Sequence, residues 1–333
     1  MVGHLPPEDF VVDLPAVIEP RLNDASSASE PHNPVAGAAA SVRDRVCVVT
    51  GATRGIGWAT ALELATLGAE VVLVGRDERR LADVRDELQR AAGGRRVHAV
   101  RADFASLDSV RAAGAEIAER WPAMHVLINN AGVNASRRTE SADGHELTFA
   151  VNHLAPFLLT ELLVPSLERG APSRVVNVAS VFAHFARVAF DDLEFERRRY
   201  DPTRAYNQSK LATVMFTLDL ADRLAGTGVT ANCVFPGLAA TDLMREHSWF
   251  TASWLRPLWR RVLLSPRQAA RRVVHVATSP ALAGVSGRCF AGSDRSRAIP
   301  RRARDRDARR RLWEVSAALT SARGDTTAER SAR

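Results

Sequence analysis

The chain has 333 residues, 46% of them hydrophobic and 25% charged, with a formal net charge of +7. That length and apolar content allow one large α/β domain or two small ones around a sizeable core, and exclude a fibrous or wholly disordered chain. The charge does not imply a nucleic-acid partner. Residues 1–43 hold six acids against two arginines, and residues 295–333 hold twelve arginines against five acids. The basicity is therefore concentrated in the tail, and no aromatic-basic interleaving of the RNA-binding type accompanies it. Cys47, Cys233 and Cys289 stand in apolar stretches without paired spacing, so they read as reduced core thiols, and no metal site is expected. No apolar run reaches the roughly 18 residues of a membrane span, and the N-terminus lacks a secretory pattern. A cytoplasmic protein is the expectation.

Residues 1–43 are rich in Pro, Ala, Ser and acids without a sustained period, and predict a poorly ordered extension. Residues 46–50 form a short apolar run, read as a buried strand. A glycine-rich turn follows, then a helical pattern through Trp58, Leu62, Ala65 and Leu67, ended by Gly68. Further strands are predicted over 71–74, 97–100, 125–128, 174–178, 230–235 and 287–290. Helices are predicted over 81–92, through Val110 and Ile117, and over about 144–169 and 206–225. Strands alternating with helices predict parallel βαβ units with right-handed crossovers. Strands that are apolar throughout imply helices on both faces of the sheet. The expected fold is a single Rossmann-type, doubly wound α/β domain with a parallel sheet of about seven strands over residues 44–320. It includes a lid over about 240–266 and is followed by a disordered tail, 321–333. In such sheets ligands bind beyond the carboxyl ends of the strands, so residues just after each strand carry the functional argument.

After the first strand come Gly51, Thr53, Arg54, Gly55, Ile56 and Gly57, with the glycines spaced GxxxGxG. Glycines between a strand and a helix let the backbone approach a pyrophosphate, which the helix N-terminus then holds by its amides and dipole. After the second strand stand Gly75, Arg76 and Asp77. An acid there would hydrogen-bond a ribose 2′-hydroxyl and repel a 2′-phosphate. Arg76 and Arg54 instead offer two guanidiniums suited to a phosphate monoester. NADP(H) is the expected cofactor, with NAD(H) as the alternative. Asp77 falls one position late to read the ribose. The rival reading of the two arginines is a pair of solvated charges in an arginine-rich chain. Asp103, followed by Phe104, is placed either to cap the next segment or to bond the adenine amine. Asn130, Ala131 and Gly132 follow the fourth strand, where small residues let the chain pass close to the adenosine side.

Ser180 follows the fifth strand, and Tyr206 and Lys210 lie four apart on one helix face. A carbonyl that accepts hydride gains negative charge on oxygen and needs a proton. A phenol, ordinarily titrating near 10, is brought toward neutral pH by a neighbouring ammonium and a nicotinamide cation. A serine hydroxyl donates to the same oxygen. Lys210 is the single lysine among 45 basic residues. A compact ammonium suits this role where a planar guanidinium does not.

Thr50 to Gly57, Asn129 to Gly132, Ser180, Tyr206 with Lys210, and Pro236-Gly237 together resemble the short-chain dehydrogenase/reductase family over about residues 44–292. The resemblance implies that Asn152 is a fourth catalytic position, anchoring a water that relays protons from Lys210. It also implies that Pro236, Gly237 and Thr241 hold the carboxamide end of nicotinamide, and that the protein is a homo-oligomer. Ser180 and Tyr206 are 26 positions apart, about twice the usual family spacing. That longer connection, the Lys210-Leu-Ala run, residues 226–232 and Leu312 to Ser316 resemble the retinol dehydrogenase-like branch. The branch implies a tail helix with Trp313 as a buried anchor, and extends the likeness to about residue 320. Many of its members carry an N-terminal membrane anchor. None is expected here, so a retinoid substrate is not implied.

The lid segment contains Trp249, Phe250, Trp254, Leu258 and Trp259 with Arg256, Arg260 and Arg261 among them. It reads as a lid packed on the core, as a pocket for a bulky apolar carbonyl compound, or as a face for a membrane surface. The expected function is interconversion of a carbonyl and an alcohol on a small, bulky apolar substrate, with no nucleic-acid partner and no membrane insertion. The alternative is a dinucleotide-binding scaffold without catalysis.

Overall fold

The computed structural model describes residues 41–237 and 264–321. Seven strands are built there: β1 (Val46–Thr50), β2 (Glu70–Gly75), β3 (Val97–Arg101), β4 (Val126–Asn129), β5 (Ser173–Val178), β6 (Val229–Val234) and β7 (Cys289–Phe290). They form one parallel sheet in the order β3-β2-β1-β4-β5-β6-β7, as the alternation of elements predicts. The chain winds outward from β1 to β3, then returns to the other side of β1 as β4. The loops leaving β1 and β4 therefore diverge and open a crevice at their carboxyl ends.

Alternate residues of each strand feed two cores. Val48, Val72, Leu127 and Val175 face one side, under α3 (Leu107–Arg120), α4 (Leu147–Arg169) and α5 (Pro202–Arg223). Cys47, Val49, Leu73 and Ile128 face the other, under α1 (Gly55–Thr66), α2 (Glu78–Ala91) and α6 (Pro266–Thr278). Helices on both faces leave no solvent side to the sheet, which is why the strands are apolar without alternation. Val42 is 1% exposed and belongs to the second core, so packing begins just ahead of β1. The three cysteines are buried and free.

Two elements differ from the sequence reading. α5 begins at Pro202, capped by Asp201, whose Oδ1 accepts from the Arg204 amide at 2.8 Å, so Tyr206 lies in its second turn and does not open it. α6 was not expected, although its start is legible as a capping box. The Gln268 amide donates to Ser265 Oγ at 3.2 Å, and the Ser265 amide donates back to Gln268 Oε1 at 2.8 Å. Its buried face of Ala269, Ala270, Val273 and Val274 packs on α1.

The tail helix α7 (Arg306–Ser321) packs on α5 and α4. Leu312 is buried, whereas Trp313 is only half-buried, edge-on to Phe157 at 4.9 Å and with the Arg223 guanidinium 3.8 Å above its ring. α4 is long and apolar enough to cross a membrane, with mean hydropathy 1.5, but 78% of that window is buried inside the fold. It is a core helix here, with its apolar residues meeting α3 and β4. The extension 1–40 and most of the lid and tail lie outside the described residues.

Candidate active site

The first part of the site is made by the loops after β1 and β4. Thr50 Oγ1 accepts from the amides of Asn130 and Ala131, both at 3.0 Å, and Asn130 Nδ2 donates to Thr50 O at 2.8 Å. These bonds lock the two loops together at the point where the strand order reverses. Gly51 turns there with φ +65°, and a Cβ on it would stand 2.8 Å from Ala131 Cα. Gly57 is tighter still: a Cβ there would lie 2.2 Å from Gly51 O and 2.4 Å from Asn130 Nδ2. The start of α1 is thus pressed against the loop it leaves.

α1 also lacks a cap. Its N-cap residue, Arg54, makes no side-chain hydrogen bond to the first turn. By contrast α2, α3, α4, α5 and α6 are capped by Asp77, Ser106, Glu146, Asp201 and Ser265. The first amides of α1 keep their donors and the positive end of the helix dipole. An anion is the partner this arrangement fits, and the pyrophosphate of a dinucleotide matches it in charge and in the close approach that glycines permit.

The arginines expected from the sequence to distinguish NADP(H) from NAD(H) stand at the same edge. Arg76 is exposed just after β2, and Arg54 is exposed at the N-cap of α1. The Asp77 carboxylate is engaged elsewhere, because its Oδ1 accepts from the Arg80 amide at 3.0 Å to cap α2. Thr53 packs across from Gly75, and Ile56 against the second core. Asp103 Oδ1 accepts from the Ala105 amide at 3.0 Å, forming a turn ahead of α3, while Ser106 caps that helix. Phe104 is 7% exposed and belongs to the first core. Pro236 follows β6, and its carbonyl accepts from Arg272 Nη1 at 3.5 Å; Gly237 packs against Leu264 and Arg272. Thr241 lies outside the described residues.

Ser180, Tyr206, Lys210 and Asn152 meet at the carboxyl ends of β4 and β5. Ser180 Oγ accepts from the Phe182 amide at 3.3 Å, capping a single 3-10 turn (Val181–Phe185), and its hydroxyl faces that of Tyr206. Burial pushes the Tyr206 phenol up to about 12, and the Ser180 hydroxyl acts against that rise. Lys210 is 5% exposed, donates from Nζ to Val178 O at 2.9 Å, and stands 5.6 Å from the Tyr206 ring centre. Burial lowers its ammonium to about 8, with Cys233 acting weakly the other way. Asn152 sits on a π-helical turn (Ala150–Leu154) inside α4. Such a turn adds one residue to the helix and re-aims a side chain. The Asn152 amide exchanges two hydrogen bonds with the Val133 backbone, at 2.8 and 2.9 Å, and donates to Ser209 Oγ at 2.9 Å. Gly132 lies beside it, where a Cβ would stand 3.3 Å from Asn152 Oδ1 and 3.7 Å from Lys210 Nζ.

Sequence reasoning missed the residues that hold this cluster in place. The connection between Ser180 and α5 is anchored through Gln208, two positions after Tyr206. Gln208 Nε2 donates to Leu193 O at 3.0 Å, and its Oε1 accepts from the Ala189 amide at 3.2 Å and from Arg198 at 2.8 Å. At the other end, Tyr200 Oη lies 3.1 Å from Glu146 Oε1 and 3.0 Å from Ala135 O. Glu146 is fully buried and accepts from the Thr148 and Phe149 amides at 2.8 Å each. Burial raises its carboxyl above the usual range, with those amides opposing. Deeper in, Asn129 Nδ2 donates to Thr160 Oγ1 at 2.9 Å and to Asn177 Oδ1 at 2.8 Å, and Asn177 Nδ2 donates to Thr217 Oγ1 at 2.8 Å. This ladder ties α4, β4, β5 and α5 together behind Lys210. The chain signalled these residues only as scattered polar positions in apolar runs.

Known proteins bear the same pattern. The short chain dehydrogenase family signature matches residues 45–250. Retinol dehydrogenase 13 of Homo sapiens is 41% identical over 84% of this chain and 86% of its own. Polyprenol dehydrogenase of Mus musculus is likewise 41% identical, over 84% and 85%. Among solved structures, actinorhodin polyketide ketoreductase with NADPH superposes with a TM-score of 0.60 at 29% identity, over 74% of this chain and 95% of that one. The Rossmann sheet, the glycine turn and these likenesses agree: the chain belongs to the short-chain dehydrogenase/reductase family, in its retinol dehydrogenase-like branch, and is an NAD(P)(H) oxidoreductase acting on the CH–OH/C=O couple.

Proposed function

We propose that this protein is an NADP(H)-dependent enzyme that interconverts an apolar carbonyl compound and its alcohol, with Tyr206 as acid and base. The observation that carries the reading is the Tyr206 phenol facing the Ser180 hydroxyl beside the buried Lys210 ammonium, at the strand ends next to the uncapped start of α1. Nicotinamide, when bound, supplies or accepts the hydride. Tyr206 gives its phenolic proton to the carbonyl oxygen as negative charge develops there, and takes it back in the alcohol direction. Ser180 donates to the same oxygen and orients it. Lys210 holds positive charge behind the phenol and favours the phenolate. A cavity of about 10 Å³ lined by Asn129, Asn152, His153, Lys210 and Thr213 has room for one water. It supports Asn152 as the residue that positions a proton-relaying water next to Lys210.

NADP(H) is favoured over NAD(H) because Arg76 and Arg54 are exposed at the edge of the nucleotide crevice and Asp77 spends its carboxylate on a helix cap. In a fluorescence titration, Arg76→Glu is expected to weaken NADPH binding by about tenfold to a hundredfold, the scale of one or two charge-assisted hydrogen bonds, and to leave NADH binding equal or tighter. Tight NADH binding by the unmodified protein, with none of NADPH, would overturn the assignment. An apolar substrate is supported by Phe185, 63% exposed in the turn that starts at Ser180. The substrates named for the two relatives, retinol and polyprenol, agree with it. The burial of α4 within the fold supports a catalytic domain that does not cross a membrane, in keeping with a cytoplasmic enzyme.

The pH dependence has a definite sign. Carbonyl reduction needs Tyr206 and Lys210 protonated, and in the ligand-free protein the lower of the two lies at about 8. The kcat/KM for reduction is therefore expected to be level below that pH and to fall above it as one proton is lost. A pH–rate profile checks this. A profile that rises through pH 8 in the reducing direction excludes a protonated Lys210 from the active form.

A further inference from the structure

A cavity of about 680 Å³ lies at the amino ends of the strands, on the edge of the sheet opposite the catalytic cluster. Three nitrogen-bearing side chains line it from three neighbouring strands: Arg45 just before β1, His125 just before β4, and Arg174 near the start of β5. Arg45 Nη1 donates to Pro172 O and Arg174 Nη1 to Val276 O, each at 3.2 Å, which fixes both guanidiniums and leaves most of their N–H groups uncommitted. No acidic residue lines the cavity, and neither arginine pairs with a carboxylate among the described residues. Asp44, next to Arg45 in the chain, faces Arg95 at 3.6 Å. His125 Nδ1 accepts from the Val46 amide at 3.2 Å, so Nε2 carries the proton as a further donor.

Two partly buried guanidiniums side by side repel one another, and burial in a lower dielectric strengthens that repulsion. Burial and the Arg45 charge both hold Arg174 below its ordinary pKa, and the same two causes lower His125. No structural role requires this concentration of unpaired donors. A hydrogen bond to one carbonyl could be made by a neutral side chain. The cavity is also lined by small and apolar residues, among them Ala221, Leu224, Ala277 and Pro280. The volume falls in the range of small-molecule sites, about 300–1,000 Å³.

We propose that this cavity is a second ligand site, separate from the catalytic crevice, that takes an organic phosphate. The phosphate would sit among Arg45, Arg174 and His125, and the apolar body of the ligand would lie against the small and apolar residues of the lining. A phosphate monoester has three terminal oxygens, which match the donors of two guanidiniums and an imidazole better than the two oxygens of a carboxylate. The ligand can be a soluble phosphate ester or the headgroup of a phosphate-bearing lipid, since both present the same chemistry.

The test uses the full-length protein and hexyl phosphate, followed by calorimetry and by thermal melting. The comparison is between the unmodified chain, Arg45→Gln, Arg174→Gln, and Arg85→Gln as a control on the exposed face of α2, outside both sites. The expected result is saturable one-to-one binding, weakened about tenfold or more in Arg45→Gln and Arg174→Gln, the loss of one charged contact, and unchanged in Arg85→Gln. Unliganded melting temperatures show whether each variant is folded; should Arg174→Gln unfold, Arg45→Gln decides alone. Co-sedimentation with phosphatidylcholine vesicles that contain phosphatidic acid, lost in the same variants, would assign the lipid headgroup as the source. Binding of hexyl phosphate without vesicle capture would assign a soluble ester. Equal affinity in all four proteins, or no saturable binding, would overturn the proposal. None of these outcomes depends on which dinucleotide the catalytic crevice takes.

Discussion

Replacing Tyr206 with phenylalanine is expected to lower kcat for carbonyl reduction by about a thousandfold while leaving NADPH affinity within about twofold. Positioned proton transfer contributes roughly 10²–10⁴ in rate, and a thousandfold loss corresponds to about 4 kcal/mol of transition-state stabilisation. The substitution removes one oxygen. The ring keeps its place in the second turn of α5, which is held from both sides by Gln208 and by the Asp201 cap. The cost to folding is small, because the hydroxyl faces Ser180, which still has the Phe182 amide to accept from. Single-turnover kinetics with bound NADPH separate chemistry from binding. A variant that binds NADPH and still turns over at more than about a tenth of the unmodified rate would remove Tyr206 from the mechanism. The residual activity carries information too. Removing the phenol leaves Lys210 buried with Val178 O as its hydrogen-bond acceptor among the described residues. Any remaining rate should therefore come from positioning and from Ser180.

Substituting alanine for Gly57 is expected to weaken the NADPH dependence of turnover, read as kcat/KM for the cofactor, by about a hundredfold, and to destabilise the fold by roughly 1–3 kcal/mol. The added methyl carbon would need to occupy a point 2.2 Å from Gly51 O and 2.4 Å from Asn130 Nδ2. Neither neighbour gives easily. Gly51 O is backbone, and Asn130 is held by its bond to Thr50 O. The strain of inserting one carbon into such a contact is of the order seen for overpacked cores. It would be relieved by displacing the start of α1. That displacement moves the free amides of the first turn away from the pyrophosphate position, and a shift of about 1 Å in a positioned group costs on the order of a hundredfold. The two effects separate experimentally: urea denaturation without cofactor reads the strain, and a fluorescence titration reads the lost anion contacts. A variant with unchanged cofactor affinity would show that the start of α1 takes no part in holding it.

Most of the fold and the central chemistry were legible in one dimension, and for local reasons. Runs such as Val46–Thr50 and Val71 to Val74 are apolar without alternation, which only a sheet covered on both faces requires. Gly51 and Gly57 stand between a strand and a helix, and a single lysine stands four after a tyrosine, so each motif carries its own spacing. What depends on residues distant in the chain was not legible. Arg54 is an arginine like 43 others until α1 proves to be uncapped while its neighbours are capped. Asp77, one position late to read a ribose, proves to be a helix cap whose carboxylate turns toward the Arg80 amide. The π-helical turn that aims Asn152, the Gln208 bonds that fix the approach to Tyr206, and the polar ladder from Thr160 to Thr217 join segments tens of residues apart. So does the meeting of Arg45, His125 and Arg174 at the far edge of the sheet. Periodicity records which face of an element is buried, and motif spacing records local turns. The charge and hydrogen-bond partners of a buried polar side chain are set by whichever strand lies next to it, and that is decided only when the sheet assembles.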